Sequence, residues 1–415
     1  MITERARKSY EERLQRDRDA IQKKTGKTPE ELYEEREKRV RDAIQLREPD
    51  RVPWVMVGGG ETSLPASAAY YDPAAYREAV RKSVLAAGPD MHAATPVATS
   101  GLTLEALDPR HMKWPGGTLP PNISYQAIEQ EYMKADEYHL FLADPTDYAQ
   151  RYLLPRAFGA LAPLSKLPPL GDRFTMFAGF TPIFATPEFQ KVARTLLKAG
   201  QEQEKATQAM RNFSEELANL GFPSLSHSGG VGGAPFDAIS DYYRGMHGTM
   251  LDMYRQPDKL LAACDKILEL RNLRAAPADP AKRGNPKRLY VPLHRGAEGF
   301  MSRKQFETFY WPGLKKAMLI SIDLGFVPIL VCQGKYDDRL EYLLELPRGK
   351  AIAYLHQVDM FRAKEILGNH ICIMGGAPPG LIKAGSPREV DDYRQKLVRV
   401  CGKGGGFILV GSLPV

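Results

Sequence analysis

Four apolar runs in this chain each end on a residue able to exchange protons or bind a metal. His227 follows residues 222–226, His294 and Arg295 follow 289–293, Cys332 and Gln333 follow 327–331, and His356 follows 351–355. Imidazoles titrate near neutral pH and serve as general acids or bases. Three imidazoles and a thiol are also ligand types that catalytic zinc draws on. A single histidine in such a place is ordinarily a satisfied polar side chain. Three of the chain's 8 histidines and one of its 4 cysteines at equivalent positions exceed scattered placement. The reading therefore expects His227, His294, Cys332 and His356 to converge on one cavity. His227, His294, His356 and Tyr336 are its acid/base candidates, and His294, Cys332 and His356 its metal candidates.

Residues so far apart in sequence meet only if parallel strands deliver them to one end of a sheet. Strand-like runs occur at 52–57, 174–180, 222–226, 289–293, 327–331, 351–355, 371–374 and 407–410, with helical patterns such as 191–221 and 305–325 between them. Alternating elements and about eight strands predict an α/β fold, a (β/α)8 TIM-type barrel, ahead of a doubly wound open sheet. Its active site would lie at the carboxyl ends of the strands. Closure predicts that run 407–410 pairs beside run 52–57. Before the last strand, Ser386-Pro387-Arg388-Glu389 is a capping box with proline in the first turn, opening a helix. A closing helix is expected after that strand, although the sequence given stops at Val415.

Residues 1–47 are charge-rich and helical in pattern, with a second capping box at Thr28-Pro29-Glu30-Glu31. They read as a helical N-terminal extension, solvated and packed on the outside of the barrel or on a second subunit of a homodimer. Residues 48–415 form the barrel, with an insertion of loops around 105–170, where Pro, Tyr and Asp accumulate without periodicity.

The chain has 415 residues, 43% of them hydrophobic and 26% charged, enough for a sizeable core. No apolar run approaches membrane-spanning length, and the N-terminus lacks a signal-peptide core, so a cytoplasmic protein is expected. The 4 cysteines form no CxxC pair, which argues against a disulfide scaffold or zinc ribbon. The net charge of +7 comes from interleaved rather than blocked charges, which argues against nucleic acid and suits an acidic partner or anionic substrate. Neither GxGxxG nor GxxxxGK[ST] is present, so dinucleotide and P-loop readings lose their support. Gly402-Lys403-Gly404-Gly405-Gly406 precedes a strand and reads as a turn.

The order of several local patterns carries a resemblance. Val358-Asp359-Met360-Phe361, the Gly-terminated runs 371–376 and 401–411, Gly232-Gly233-Ala234-Pro235-Phe236-Asp237, Glu298-Gly299-Phe300-Met301-Ser302 and Phe309-Tyr310-Trp311-Pro312 stand in the chain as quoted. Together they resemble the uroporphyrinogen decarboxylase superfamily, closest in pattern to its cobalamin-dependent methyltransferase-like members. The resemblance implies a (β/α)8 barrel and transfer of a methyl group between a small substrate and cobalamin held on a partner corrinoid protein. The decarboxylase's arginine-containing signature after the first strand is replaced here by Val57-Gly58-Gly59-Gly60-Glu61-Thr62. Of the His-x-Cys and later Cys of zinc-containing thiol methyltransferases, only Cys332 survives. The resemblance thus leaves zinc as a possible second cofactor on a weakened ligand set. Where related members carry an acidic pair, Gln333 and Lys335 stand, which favours an anionic or polar neutral substrate.

In the methyltransferase reading, His227, His294, His356 or Tyr336 stabilises the leaving heteroatom, Cys332 contacts metal or substrate, and Arg295, Gln333, Lys335, Asp237 and Asp359 position the substrate. The alternative is a decarboxylase of an acidic substrate such as uroporphyrinogen, with Lys335 and Arg295 holding a carboxylate and Asp237 or Asp359 steadying a developing cation. A third reading is a non-catalytic binding member of the family.

Overall fold

The structure, a computed structural model, describes residues 4–57, 64–93, 99–169 and 176–411. Helix α1 (Glu4–Thr25) and helix α2 (Pro29–Ile44) come first. Seven strands follow in one parallel sheet: β1 (Trp54–Val57), β2 (Met91–Ala93), β5 (Lys287–Leu293), β6 (Phe326–Cys332), β7 (Ile352–Leu355), β8 (Cys372–Gly375) and β9 (Phe407–Gly411). A separate antiparallel pair, β3 (Met112–Lys113) and β4 (Gln126–Ala127), lies in the insertion. β6 is buried at every residue, the near-continuous apolar pattern of a strand covered on both faces. The turn into β9 needs three successive positive φ angles, supplied by Gly404, Gly405 and Gly406; a Cβ on Gly405 would stand 2.3 Å from the Arg47 backbone.

The strand order is β2-β1-β9-β8-β7-β6-β5, with Trp54 opposite Leu409 and Val55 opposite Val410. The first and last strands are therefore neighbours, as closure requires. At the edges of this curled sheet, residues 223–227 bridge β2 and β5. Leu225 N–H donates to His92 O at 2.8 Å, and His227 N–H to Arg288 O at 2.7 Å. This short segment stands where an eighth strand was expected, and the seven-stranded curled parallel sheet with its helices is consistent with a TIM-type barrel. Val55, Met91, Ile329, Val331, Ile352, Tyr354, Met374, Ile408 and Val410 pack in one cluster inside the curl. Their neighbours Leu330, Cys332, Ala353, Leu355, Ile373, Phe407 and Leu409 pack outward against the helices.

The N-terminal segment differs from a solvated extension. Val40, Ala43 and Ile44 of α2 join the inner cluster and stop the amino end of the barrel. Glu37 of the same helix meets the inward-pointing Arg288 at 2.9 Å through both guanidinium nitrogens. The capping box at Thr28 and Glu31 forms as read from sequence, as does that of Ser386 and Glu389, with 2.8 Å and 3.3 Å backbone bonds.

Two expectations fail. Of the strand expected at 174–180, residues 174 and 175 lie outside the described residues, and Phe177 to Phe180 form a turn in which Phe177 is 77% exposed. The insertion is not only loops. It holds the helix Tyr138–Ala143, the π-turn Ala149–Leu153 and the 3-10 helix Gly159–Lys166. Their brevity hid them, because runs this short show no hydrophobic period. The three-residue β2 escaped the sequence for the same reason. Among the described residues no helix is long and apolar enough to cross a membrane.

Candidate active site at the carboxyl end of the sheet

β5 ends at Leu293, and the next two backbone N–H groups have lost their place in the ladder. The Asp237 carboxylate takes both, His294 N–H at 2.9 Å and Arg295 N–H at 3.0 Å, and the Tyr310 hydroxyl donates to it at 2.8 Å. Asp237 comes from the helix Pro235–Ile239, which begins at a proline suited to its first turn. Burial pushes its carboxyl up to about 6, against the pull of these three donors.

A π-turn, Ser240–Arg244, continues that helix and carries Asp241. Asp241 Oδ2 stands 2.5 Å from His294 Nδ1, and Asp241 Oδ1 3.0 Å from Arg295 Nη2. The hydrogen bond to Asp241 raises the His294 imidazole above its ordinary value, outweighing burial. Arg295 also donates through Nε to Ser240 Oγ at 3.0 Å and lies 5.2 Å from the Phe300 ring. A second π-turn, Phe306–Tyr310, places Tyr310, whose ring stacks on Phe306 at 5.4 Å. Single π-turns inside helices recur at functional sites. The His294 side chain is 38% exposed, so a partly open imidazole sits on a buried carboxylate frame. Asp241 fixes Nδ1 as the hydrogen-bonded nitrogen and leaves Nε2 to exchange a proton with a bound molecule.

Residues 227–411 match the model of the family Uroporphyrinogen decarboxylase (URO-D). This carboxyl-terminal segment of the chain is similar to the URO-D family. The matched segment begins at His227 and contains β5 to β9 with every rim residue named above. A methyltransferase from Methanosarcina mazei shares the fold at 16% identity, with a TM-score of 0.52 over 90% of this chain and 91% of its own. No curated protein sequence matches the chain.

Within the matched segment the residues expected from sequence separate. Asp237, His294 and Arg295 come together. Tyr336 is buried beside them: a Cβ on Gly296 would stand 2.5 Å from the Tyr310 ring and 2.8 Å from the Tyr336 hydroxyl. His356 turns into the barrel, its ring 4.4 Å from that of Tyr354. Burial lowers its pKa, and its Nε2 has no hydrogen-bond partner among the described residues.

His227 does not join them. Its Nδ1 accepts from Arg288 N–H at 3.0 Å, near the amino end of β5, and burial holds the ring down at about 4. The 223–227 segment is staggered, so its end aligns with the beginning of β5. Cys332 does not join either. Alternation sends Val331 inward and Cys332 outward, where its Sγ lies 3.7 Å from Leu330 O and burial pushes the thiol up to about 12. Gln333 and Lys335 are exposed in the following loop. Asp359 caps the helix Met360–Leu367, accepting from Phe361 N–H at 2.9 Å and Arg362 N–H at 3.3 Å.

The zinc set of His294, Cys332 and His356 therefore does not form. The Cys332 thiol packs among the helix-facing core, whereas His356 turns toward Tyr354 of the inner cluster. Among the described residues no three His, Cys, Asp or Glu side chains are grouped to hold a metal ion. Sequence reasoning missed Asp241, Ser240 and Tyr310. Asp241 carried a signal, since Asp237 and Asp241 are four residues apart at a helix start, the spacing of side chains on one face.

Proposed function

We propose that the protein is a methyltransferase, moving a methyl group between a small methylated substrate and the cobalamin of a corrinoid carrier protein. The observation that supports this most is the His294–Asp241 pair at 2.5 Å on the carboxyl rim. Transfer from an ether or amine breaks the carbon–heteroatom bond and leaves the electron pair on the heteroatom. That atom needs a proton as the bond breaks. His294, whose protonated form Asp241 favours, gives it from Nε2, while Asp241 keeps the neutral ring oriented for reprotonation. Cobalamin on the carrier, when bound, supplies the nucleophile that takes the methyl group. The M. mazei methyltransferase, alike in fold, is consistent with this reading. Decarboxylation is less well served, because Arg295 is already committed to Asp241 and Ser240.

The test offers free cob(I)alamin and a panel of methyl ethers, methylamines and methyl thiols, and follows methylcobalamin by absorbance. The expected outcome is transfer from one class, reduced by about 10²-fold or more in His294→Gln. CO₂ release from uroporphyrinogen, with no methyl transfer, would replace the reading by the decarboxylase.

A further inference from the structure

The insertion between β2 and the 223–227 segment reaches the rim. Two residues beyond β4, Glu129 places Oε2 3.7 Å from Arg295 Nη2. Its Oε1 accepts from Met246 N–H, and from His247 N–H at 3.3 Å, at the start of the helix Gly245–Arg255. The same stretch braces the π-turn that presents Asp241. Met133 N–H donates to Tyr243 O at 2.7 Å, Arg244 donates to Met133 O at 2.6 Å, and Tyr138 donates to Asp252 at 2.8 Å beside the Arg244–Asp252 pair. A continuous path of polar contacts thus runs from the inserted hairpin through Arg295 and Asp241 to His294.

We infer that Glu129 is a positioning residue of the rim, which holds Arg295 and so sets how strongly Asp241 retains the proton of His294. This rests on the reading of His294 as the proton donor. The physical argument is local charge balance. Asp241 is shared between Arg295 and His294, and the positive charge of Arg295 opposes that of His294. Glu129 draws part of the Arg295 charge toward the insertion, leaving more of the Asp241 field for the imidazole. His294 is faced by Asp241 and Asp237 and flanked by Arg295. Asp237 is in turn surrounded by Tyr310, Tyr336, Arg271 and Cys264, and Asp241 by Tyr242. Glu129 is the acidic residue the insertion adds to this set. Glu129 lies outside the segment that matches the family model, which begins at His227.

The test is a titration of the histidine ring resonances in the whole protein, labelled at histidine, with the His294 signal assigned by its loss in His294→Gln. Glu129→Gln keeps an oxygen for the Met246 and His247 N–H groups and removes only the charge. The expected result is a downward shift of the His294 midpoint in Glu129→Gln, with the thermal melt unchanged, and a smaller shift when the same substitution is made in Arg295→Gln. An unmoved midpoint in folded Glu129→Gln overturns the inference. So does an equal shift in both backgrounds, since Glu129 would then act without Arg295. If Glu129→Gln does not fold, Glu129→Asp, which withdraws the carboxylate, carries the same expectation and the same refutation. The readout requires no turnover, so failure of methyl transfer and failure of this inference are separate results.

Discussion

Arg288 and Glu37 meet inside the amino end of the barrel through two hydrogen bonds of 2.9 Å, one from each terminal guanidinium nitrogen. Both side chains are almost fully buried, and Arg288 further donates to Leu225 O at 3.0 Å and Ser224 O at 2.9 Å. One pair therefore ties α2, β5 and the 223–227 segment together.

Removing one partner leaves the other charge buried alone. Glu37→Ala is expected to lower the unfolding free energy by about 3 to 5 kcal/mol. Urea melts measure it. A loss within experimental scatter of zero would mean that the floor of the barrel is held by its apolar contacts.

The His294–Asp241 pair predicts a pH dependence. The imidazole value is raised in the folded protein, so the stability it contributes is full below the ordinary value of 6.5 and lost as pH rises through the folded value. Methyl transfer that needs the protonated ring declines over the same upper window. In Asp241→Asn the alkaline limb of the rate profile should move to lower pH, because the hydrogen-bonded carboxylate is gone. Coincident limbs in the two proteins would remove His294 from the proton step.

Asp237 gives a second titration. Its value rises from 3.8 to about 6 on folding, so its contribution is full below 3.8 and lost as pH climbs through about 6. Compared with Asp237→Asn, which cannot ionise, the native protein should lose on the order of 3 kcal/mol of relative stability as pH rises from below 3.8 to above about 6. Denaturant melts of both proteins across that range measure the difference. A constant difference would show that folding leaves the Asp237 carboxyl at its ordinary value.

Cys264, Cys332, Cys372 and Cys401 are all buried and free. Burial pushes Cys332 up to about 12 and Cys401 up to about 11, and raises Cys264 and Cys372 as well. The thiolate is the reactive form. A disulfide reagent at neutral pH should therefore label none of the four in the native protein and all four in denaturant. Rapid native labelling of Cys332 would contradict its outward, enclosed position.

Much of the frame was legible because its signals are local. Ser386 and Glu389 announce a helix start within four residues, and β6 announces a covered strand by its unbroken apolar run. The pairing of β1 with β9 followed from closure alone. The site was legible only in part. His294 and Arg295 stand just past a strand's end, where position along the chain is enough, and Asp237 closes the quoted pattern at 232–237. The direction of Cys332 depends on which strand residues face inward, and a buried run apolar on both faces does not reveal that parity. The place of His227 depends on the stagger between 223–227 and β5, a long-range quantity. Asp241 reaches His294 by way of a π-turn, which a regular 3.6-residue period does not disclose.

The adjacency of β1 and β9 also governs how the protein can be made. About 350 residues separate these partners, and at a synthesis rate of about 5 to 20 residues per second the first strand waits tens of seconds for the last. Throughout that interval β1 presents one unpaired edge, and the apolar side of α2 lacks most of the inner lining it will seal. Truncations before Phe407 should consequently accumulate as aggregates rather than as smaller folded barrels.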